Sequence, residues 1–223
     1  MRQFAFFDLD DTLLQGNSDQ LWGQYLIDHN HIALDYMQQR SLAFRDQYRA
    51  GKLDMAAFVR FSTEFLQNQP SKTLRQHQQR FANGYLQPRL KTQTEQLLGK
   101  ERQAGATVVL VTATNDFLAE AAANLLAPDL WIATELERCP QGTITGGIRH
   151  QPCFREGKLW HIHRQLQPSE QEWRAASAYS DSINDLPMLA ASGRPHAVDP
   201  CPALRSHAQQ NNWPILELLQ SQA

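Results

Sequence analysis

The sequence predicts an α/β protein: a doubly wound parallel sheet of Rossmann-like type, with an all-helical subdomain inserted after the first strand. Three observations predict it. Short β-branched runs alternate with helical stretches through the second half of the chain. Between residues 17 and 88 no convincing strand occurs, and apolar residues recur at helical spacing. Asp8, Asp10, Thr112, Lys158, Asp181 and Asp185 fall where strands end or helices start, the edge at which such sheets hold ligands.

The apolar run Phe4 to Phe7 opens a first strand over residues 4–9. Leu21, Trp22, Tyr25 and Leu26, then Phe58, Phe61, Phe65 and Leu66, mark helices, with Gly51 and Pro70 as breaks. Such aromatic stripes are expected to be bundle core more than pocket wall. Leu90 to Ala104 reads as a helix stopped by Gly105. Residues 107–111 read as a buried parallel strand, and Asn115 suits the N-cap of a helix running to Leu126. A short strand follows from Leu130 to Thr134, then a hairpin over residues 135–149 turning at its glycines. The remainder reads as a helix from Gly157 to Leu166, a strand from Ala175 to Ser180 and a helix from Ile183 to Ala191. A closing strand at 196–198 and a helix from Pro202 to Gln210 complete it. The expected division is a core of residues 1–16 and 89–223 around an insert of residues 17–88.

At 223 residues the chain suits one core carrying an inserted subdomain. A net charge of −2 gives no basic footprint, so no nucleic-acid partner is expected. No apolar run approaches the ~20 residues that span a bilayer, so no membrane partner is expected either. The strand-like start leaves no room for a signal peptide, and a cytoplasmic protein is the expectation. Cys139, Cys153 and Cys201 lack metal-ligand spacing and read as reduced, structural thiols.

Asp8 and Asp10 sit one residue apart, on the same side of a strand. Their charges repel unless a divalent cation or a shared proton offsets them. A carboxylate beside a hard cation can attack phosphorus while its neighbour handles the proton. Taken singly, each other group has a plainer reading. Thr112 could be an ordinary strand residue, Lys158 a solvated helix lysine, and Asp185 a carboxylate at a helix start. Their conjunction at one sheet edge favours a single site. Asp11 reads as a turn residue facing away from Asp8 and Asp10.

Asp8-Leu-Asp-Asp-Thr12, Thr112, Lys158 and Ser180-Asp-Ser-Ile-Asn-Asp185 resemble the four motifs of the haloacid dehalogenase superfamily. The insert resembles the cap of subfamily IB, the subgroup containing phosphoserine phosphatase. Ser18-Asp-Gln-Leu-Trp-Gly23 and Pro152-Cys-Phe-Arg-Glu-Gly-Lys158 resemble a broad branch of its hydrolases, and the resemblance covers essentially the whole chain. It implies a Mg²⁺-dependent phosphatase acting on a small phosphorylated metabolite through an aspartyl-phosphate. By that resemblance Asp8 is the nucleophile, and Asp10 protonates the leaving oxygen and then activates water. Mg²⁺ is held by Asp8, the backbone carbonyl of Asp10 and Asp181, with Asp185 close by through water. Thr112 and Lys158 hold the phosphoryl oxygens.

Phosphoserine phosphatases grip their amino acid with an acid and an arginine in the cap. Here Asp19 could stand in for the acid, or could equally be the N-cap of the first insert helix. Arg45, Arg49 and Arg60 are the candidates for the base. The insert is expected to be a mobile lid, hinged at Gly16 and stiffened at Pro88. Two other functions fit part of the pattern: phosphotransfer to an alcohol acceptor, and a non-catalytic, receiver-like phosphate-binding module. Receivers carry their acidic pair ahead of a separate mid-chain acceptor and lack an insert of this size, so an enzyme is the expectation.

Overall fold

The computed structural model describes residues 2–49, 54–67 and 69–218. Strand β1 (Phe4–Phe7) is buried along its whole length. The chain then turns through a loop into α1 (Ser18–Asp28), α2 (Leu34–Arg49), α3 (Met55–Ser62) and α4 (Ser71–Phe81). Among the described residues this stretch contains no strand, and Pro70 is the N-cap of α4. The break expected at Gly51 lies outside the described residues. Helix α5 (Thr94–Gln103), β2 (Thr107–Asn115), α6 (Asp116–Leu126) and β3 (Leu130–Thr134) follow. A two-stranded hairpin, β4 (Leu136–Arg138) and β5 (Ile144–Ile148), stands apart from the main sheet. The chain ends with α7 (Glu156–Leu166), α8 (Glu170–Ala175), β6 (Ser177–Ser180), α9 (Leu186–Ala191), β7 (Arg194–Val198), α10 (Pro202–Gln210) and β8 (Ile215–Leu216).

The main sheet runs β3-β2-β1-β6-β7-β8, every pair parallel. Its pleat sorts the core. Phe4, Phe6, Val109 and Val111 face one side, where α7, α8, α9 and α10 bury Ile162, Trp173, Met188 and Leu204. Ala5, Phe7, Val108 and Leu110 face the other, under Leu97 of α5, Leu118 of α6 and Trp22 of α1. Covering both faces allows continuous apolar strands, and each fully buried Phe or Leu contributes ~1.5–3 kcal/mol. The chain winds from β1 outward to β3, then crosses to β6 and winds the other way. The C-terminal ends of β1, β2 and β6 therefore meet where the order reverses.

Several boundaries differ from the sequence reading. The first strand stops at Phe7, because Leu13 and Leu14 both donate backbone N–H to the Leu9 carbonyl and curl the chain. Asp8 and Asp10 thus lie in the loop beyond the strand. The helix expected from Leu90 starts at Thr94, since Leu90 bridges Leu14 and Lys91 N–H donates to the Leu13 carbonyl. The second strand extends past Val111 to Asn115. The sheet closes on β8, a two-residue strand beyond β7. Among the described residues no helix is long and apolar enough to cross a membrane.

Candidate active site

The loop after β1 is shaped by its own backbone. Asp11 adopts φ +56°, donates its N–H to the Gly16 carbonyl and accepts Gly16 N–H on Oδ1. Asp11 is thus a turn residue, exposed at the cavity edge. The turn leaves Asp8 pointing into the fold, where Lys158 Nζ donates to its Oδ1 at 2.7 Å and Thr12 Oγ1 lies 2.8 Å from its Oδ2.

Lys158 reaches this position from the first turn of α7. Only glycine fits before it, because a Cβ on Gly157 would sit 2.0 Å from the Pro152 carbonyl oxygen. The ammonium is 1% exposed and also donates to Asp185 Oδ2 at 2.6 Å. Burial works against its charge, but Asp185 and Asp8 outweigh that and hold its pKa above the usual lysine value. Lys158 is therefore not the solvated lysine of its plainer reading. Asp185 also accepts from Ser180 Oγ at 2.7 Å, so its carboxylate is spent on Lys158 and Ser180, not on capping α9.

Asp181 stands beyond the end of β6. Its N–H donates to Thr12 Oγ1 at 3.0 Å, and its Oδ1 lies 3.2 Å from the same hydroxyl. One hydroxyl proton faces two carboxylates, Asp8 and Asp181, and can satisfy one at a time. Burial, followed by mutual repulsion, raises the Asp181 carboxyl. Burial also raises Asp8, against the pull of Lys158. Such surplus negative charge suits a divalent cation. Among the described residues no three His, Cys, Asp or Glu side chains form a ready cage. Mg²⁺ asks for less, binding through one or two carboxylates while keeping several waters. The donor set fits it.

Asp10 is held by different partners. Ser18 N–H donates to its Oδ1 at 2.8 Å, and Ser18 Oγ and Thr114 Oγ1 lie 3.1 and 2.9 Å from its Oδ2. Burial raises its carboxyl, and these donors oppose the rise. The first residue of α1 thus anchors the helical insert to Asp10. Thr112 is buried inside β2, with its Oγ1 accepting Thr114 N–H at 3.2 Å.

Asp8, Asp10, Thr112, Lys158, Asp181 and Asp185 line one cavity of about 770 Å³ between the strand ends and α1 to α3. Trp22, Phe58, Phe61 and Phe65 line it too, so these residues are pocket wall as well as core. Asp19 belongs to the same wall, and Asn17 takes the capping role by accepting Gln20 N–H on Oδ1. Asp19 Oδ1 has no hydrogen-bond partner, and burial, with Asp10 adding to it, pushes the carboxyl up to about 7. Arg60 is exposed and is absent from the described lining, while the side chains of Arg45 and Arg49 lie outside the described residues.

Sequence reasoning passed over Ser18, Thr114 and Lys91. Thr112 and Thr114 share a strand side, a signal that the Thr-x-Thr spacing carries. Lys91 is buried, donating to the Asp11 carbonyl and to Asp199 Oδ2 at 2.7 Å, and so ties the catalytic-edge loop to the turn after β7.

Fold and cavity together define a Rossmann-like α/β enzyme whose acids and buried Lys158 converge at the strand ends. A family model for haloacid dehalogenase-like hydrolases matches residues 5–190. The chain belongs to that family, and its phosphatase-named relatives make it a phosphoric monoester hydrolase. It is 30% identical over 219 residues to a histidinol-phosphatase of Neisseria meningitidis, covering 97% of this chain and 99% of that one. It is 29% identical to a phosphoserine phosphatase of Mycobacterium tuberculosis, covering 95% of this chain and 71% of that one. A Bordetella pertussis protein of unknown function shares the structure at TM-score 0.91, with 31% identity over 98% of this chain and all of that one. A phosphoserine phosphatase with a phospho-aspartyl intermediate analogue shares the fold at TM-score 0.63 and 16% identity, covering 98% and 94% of the two chains.

Proposed function

We propose that the protein is a Mg²⁺-dependent phosphatase that hydrolyses a small phosphomonoester through an aspartyl-phosphate on Asp8. The observation that carries this reading is the unequal setting of the two first-loop acids. Asp8 is pinned between the Lys158 ammonium and the Thr12 hydroxyl, while Asp10 is held separately by Ser18 and Thr114. One carboxylate is oriented beside positive charge, and the other is free to exchange a proton.

In this reading an Asp8 carboxylate oxygen attacks phosphorus, and the ester oxygen leaves with a proton from Asp10, whose raised pKa suits a general acid. Asp10 then takes a proton from the water that cleaves the acyl phosphate, releasing inorganic phosphate and restoring Asp8. Lys158 and Thr112 hold the phosphoryl oxygens. Asp8, Asp181 and the Asp10 carbonyl would hold Mg²⁺, with Asp185 nearby. When bound, the ion supplies charge neutralisation at those oxygens.

Residues 17–88 act as the cap that closes over this site. Relatives named for histidinol phosphate and phosphoserine support a phosphorylated amino alcohol or amino acid as substrate. Three unpaired cysteines support a cytoplasmic setting. The test is mass spectrometry of rapidly quenched enzyme. A phosphoryl adduct on the Asp8 peptide is expected during turnover, and both adduct and turnover should vanish in Asp8→Asn. Near-normal hydrolysis by that variant would remove Asp8 from the role.

A further inference from the structure

The cavity is far larger than a phosphoryl group, which has the bulk of a few waters at ~30 Å³ each. Its outer part lies among α1, α2 and α3. Asp19 and Trp22 stand three residues apart on α1, the spacing that sets side chains side by side, and both line this space. Each carries an unsatisfied polar atom, Asp19 Oδ1 and Trp22 Nε1. Glu64, held by the Tyr36 hydroxyl at 2.9 Å, adds a second carboxylate to the wall. Phe58, Phe61 and Phe65 make the rest of that wall aromatic. Among the described lining residues the only lysine or arginine is Lys158, already engaged at the phosphate end.

We infer that this outer compartment takes an ammonium beside Asp19, followed by a flat ring among the phenylalanines. The substrate is then the phosphate ester of an aromatic or heteroaromatic amino alcohol with no carboxylate on the amine-bearing carbon. The inference rests on the phosphatase reading and narrows it. A carboxylate attracts an ammonium, and the pairing strengthens as water is excluded. A substrate carboxylate in the same place would face Asp19 and Glu64 and meet like charge.

Calorimetry on the Mg²⁺-loaded protein reads the compartment without any chemistry. Free phenylalaninol should bind at least about tenfold more tightly than its uncharged N-acetyl form, the scale of one charge-assisted contact. The corresponding phosphate esters should differ in the same direction in kcat/KM, with O-phosphoserine turned over more slowly than phenylalaninol phosphate. Asp19→Asn should bring the amine-to-N-acetyl binding ratio to within about threefold of unity, because the amide carries no charge. The selectivity of the unaltered protein stands as a test even if that variant folds poorly. Equal binding of the amine and the N-acetyl form, or a preference for O-phosphoserine, would overturn the inference. Hydrolysis of p-nitrophenyl phosphate is the separate control: its failure would count against the phosphatase reading, while the binding ratio still decides what the compartment accepts.

Discussion

Replacing Lys158 by methionine keeps the length of the side chain and removes its charge. Two buried contacts disappear, at 2.7 Å to Asp8 and 2.6 Å to Asp185. Breaking a buried pair by deleting one partner costs ~3–5 kcal/mol, because the remaining charge has neither water nor counter-ion. For a chain of this size that is a fall of about 6–20 °C in Tm in the metal-free protein. The loss depends on pH, and its sign follows from Asp8. Burial already holds that carboxyl above the unfolded value, and the ammonium opposes the rise. Without the ammonium it rises further. A carboxyl raised in the folded state contributes stability below the unfolded pKa of about 4 and loses it as pH climbs through the folded pKa. The deficit of Lys158→Met against the parent should therefore be small at pH 5 and large at pH 8. Saturating Mg²⁺ should reduce it by supplying positive charge. Urea unfolding followed by tryptophan fluorescence, with chelator or with Mg²⁺ at both pH values, measures this. Turnover of an aryl phosphate should fall by about 10²–10³, the cost of one preorganised charge. A pH-independent deficit below about 1 kcal/mol with unchanged turnover would refute the reasoning and make Lys158 equivalent to a surface lysine.

Asp10→Ala should slow turnover by ~10²–10⁴, the range for general acid–base catalysis. Its Mg²⁺ affinity should change less than that of Asp181→Ala, because only a backbone carbonyl of Asp10 would face the ion. Metal titrations of the two variants decide this, and equal weakening would merge the roles. Gly157→Ala should lower stability by ~1–3 kcal/mol and turnover with it, since the new Cβ must push the Pro152 carbonyl and so displace Lys158. Thermal melts alongside steady-state kinetics test that. Lys91→Met should destabilise by ~1–3 kcal/mol, because Asp199 keeps the Leu218 N–H and loses the ammonium, seen as a lowered urea midpoint. An unchanged midpoint would mean that water replaces the ammonium.

The parallel sheet was legible because its central strands, β1 and the first half of β2, are buried on both faces and read as apolar runs, and Asn115 announced α6 through its capping chemistry. Helix α8 was equally announced, by the Ser169-to-Glu172 capping box, and was passed over because six residues give little periodicity. Strand β8 was not legible at all: its two residues pair with β7 only after α10 has turned the chain back. The site divides the same way. Asp8 and Asp181 follow strand ends, and Lys158 and Asp185 stand at helix starts, where sequence alone can place them. Lys91 looks like any helix-flanking lysine until partners 80 and 108 residues away bury it. Asp19 was balanced between two roles until Asn17 was seen to take the cap.

The bond between Ser18 and Asp10 constrains how relatives of this enzyme can diversify. In the proposed reading the insert sets substrate preference, yet the first residue of its first helix holds Asp10, the acid proposed to move the proton. Changes in α2 and α3 reach the pocket wall without touching that acid. Changes at the start of α1 alter recognition and turnover together, so most of them would be purged whatever they do for binding. Ser18, Asp10 and Thr114 therefore form one hydrogen-bonded unit. A chimera that imports another enzyme's insert should be cut after α1, leaving the donor's novelty to begin at Leu34.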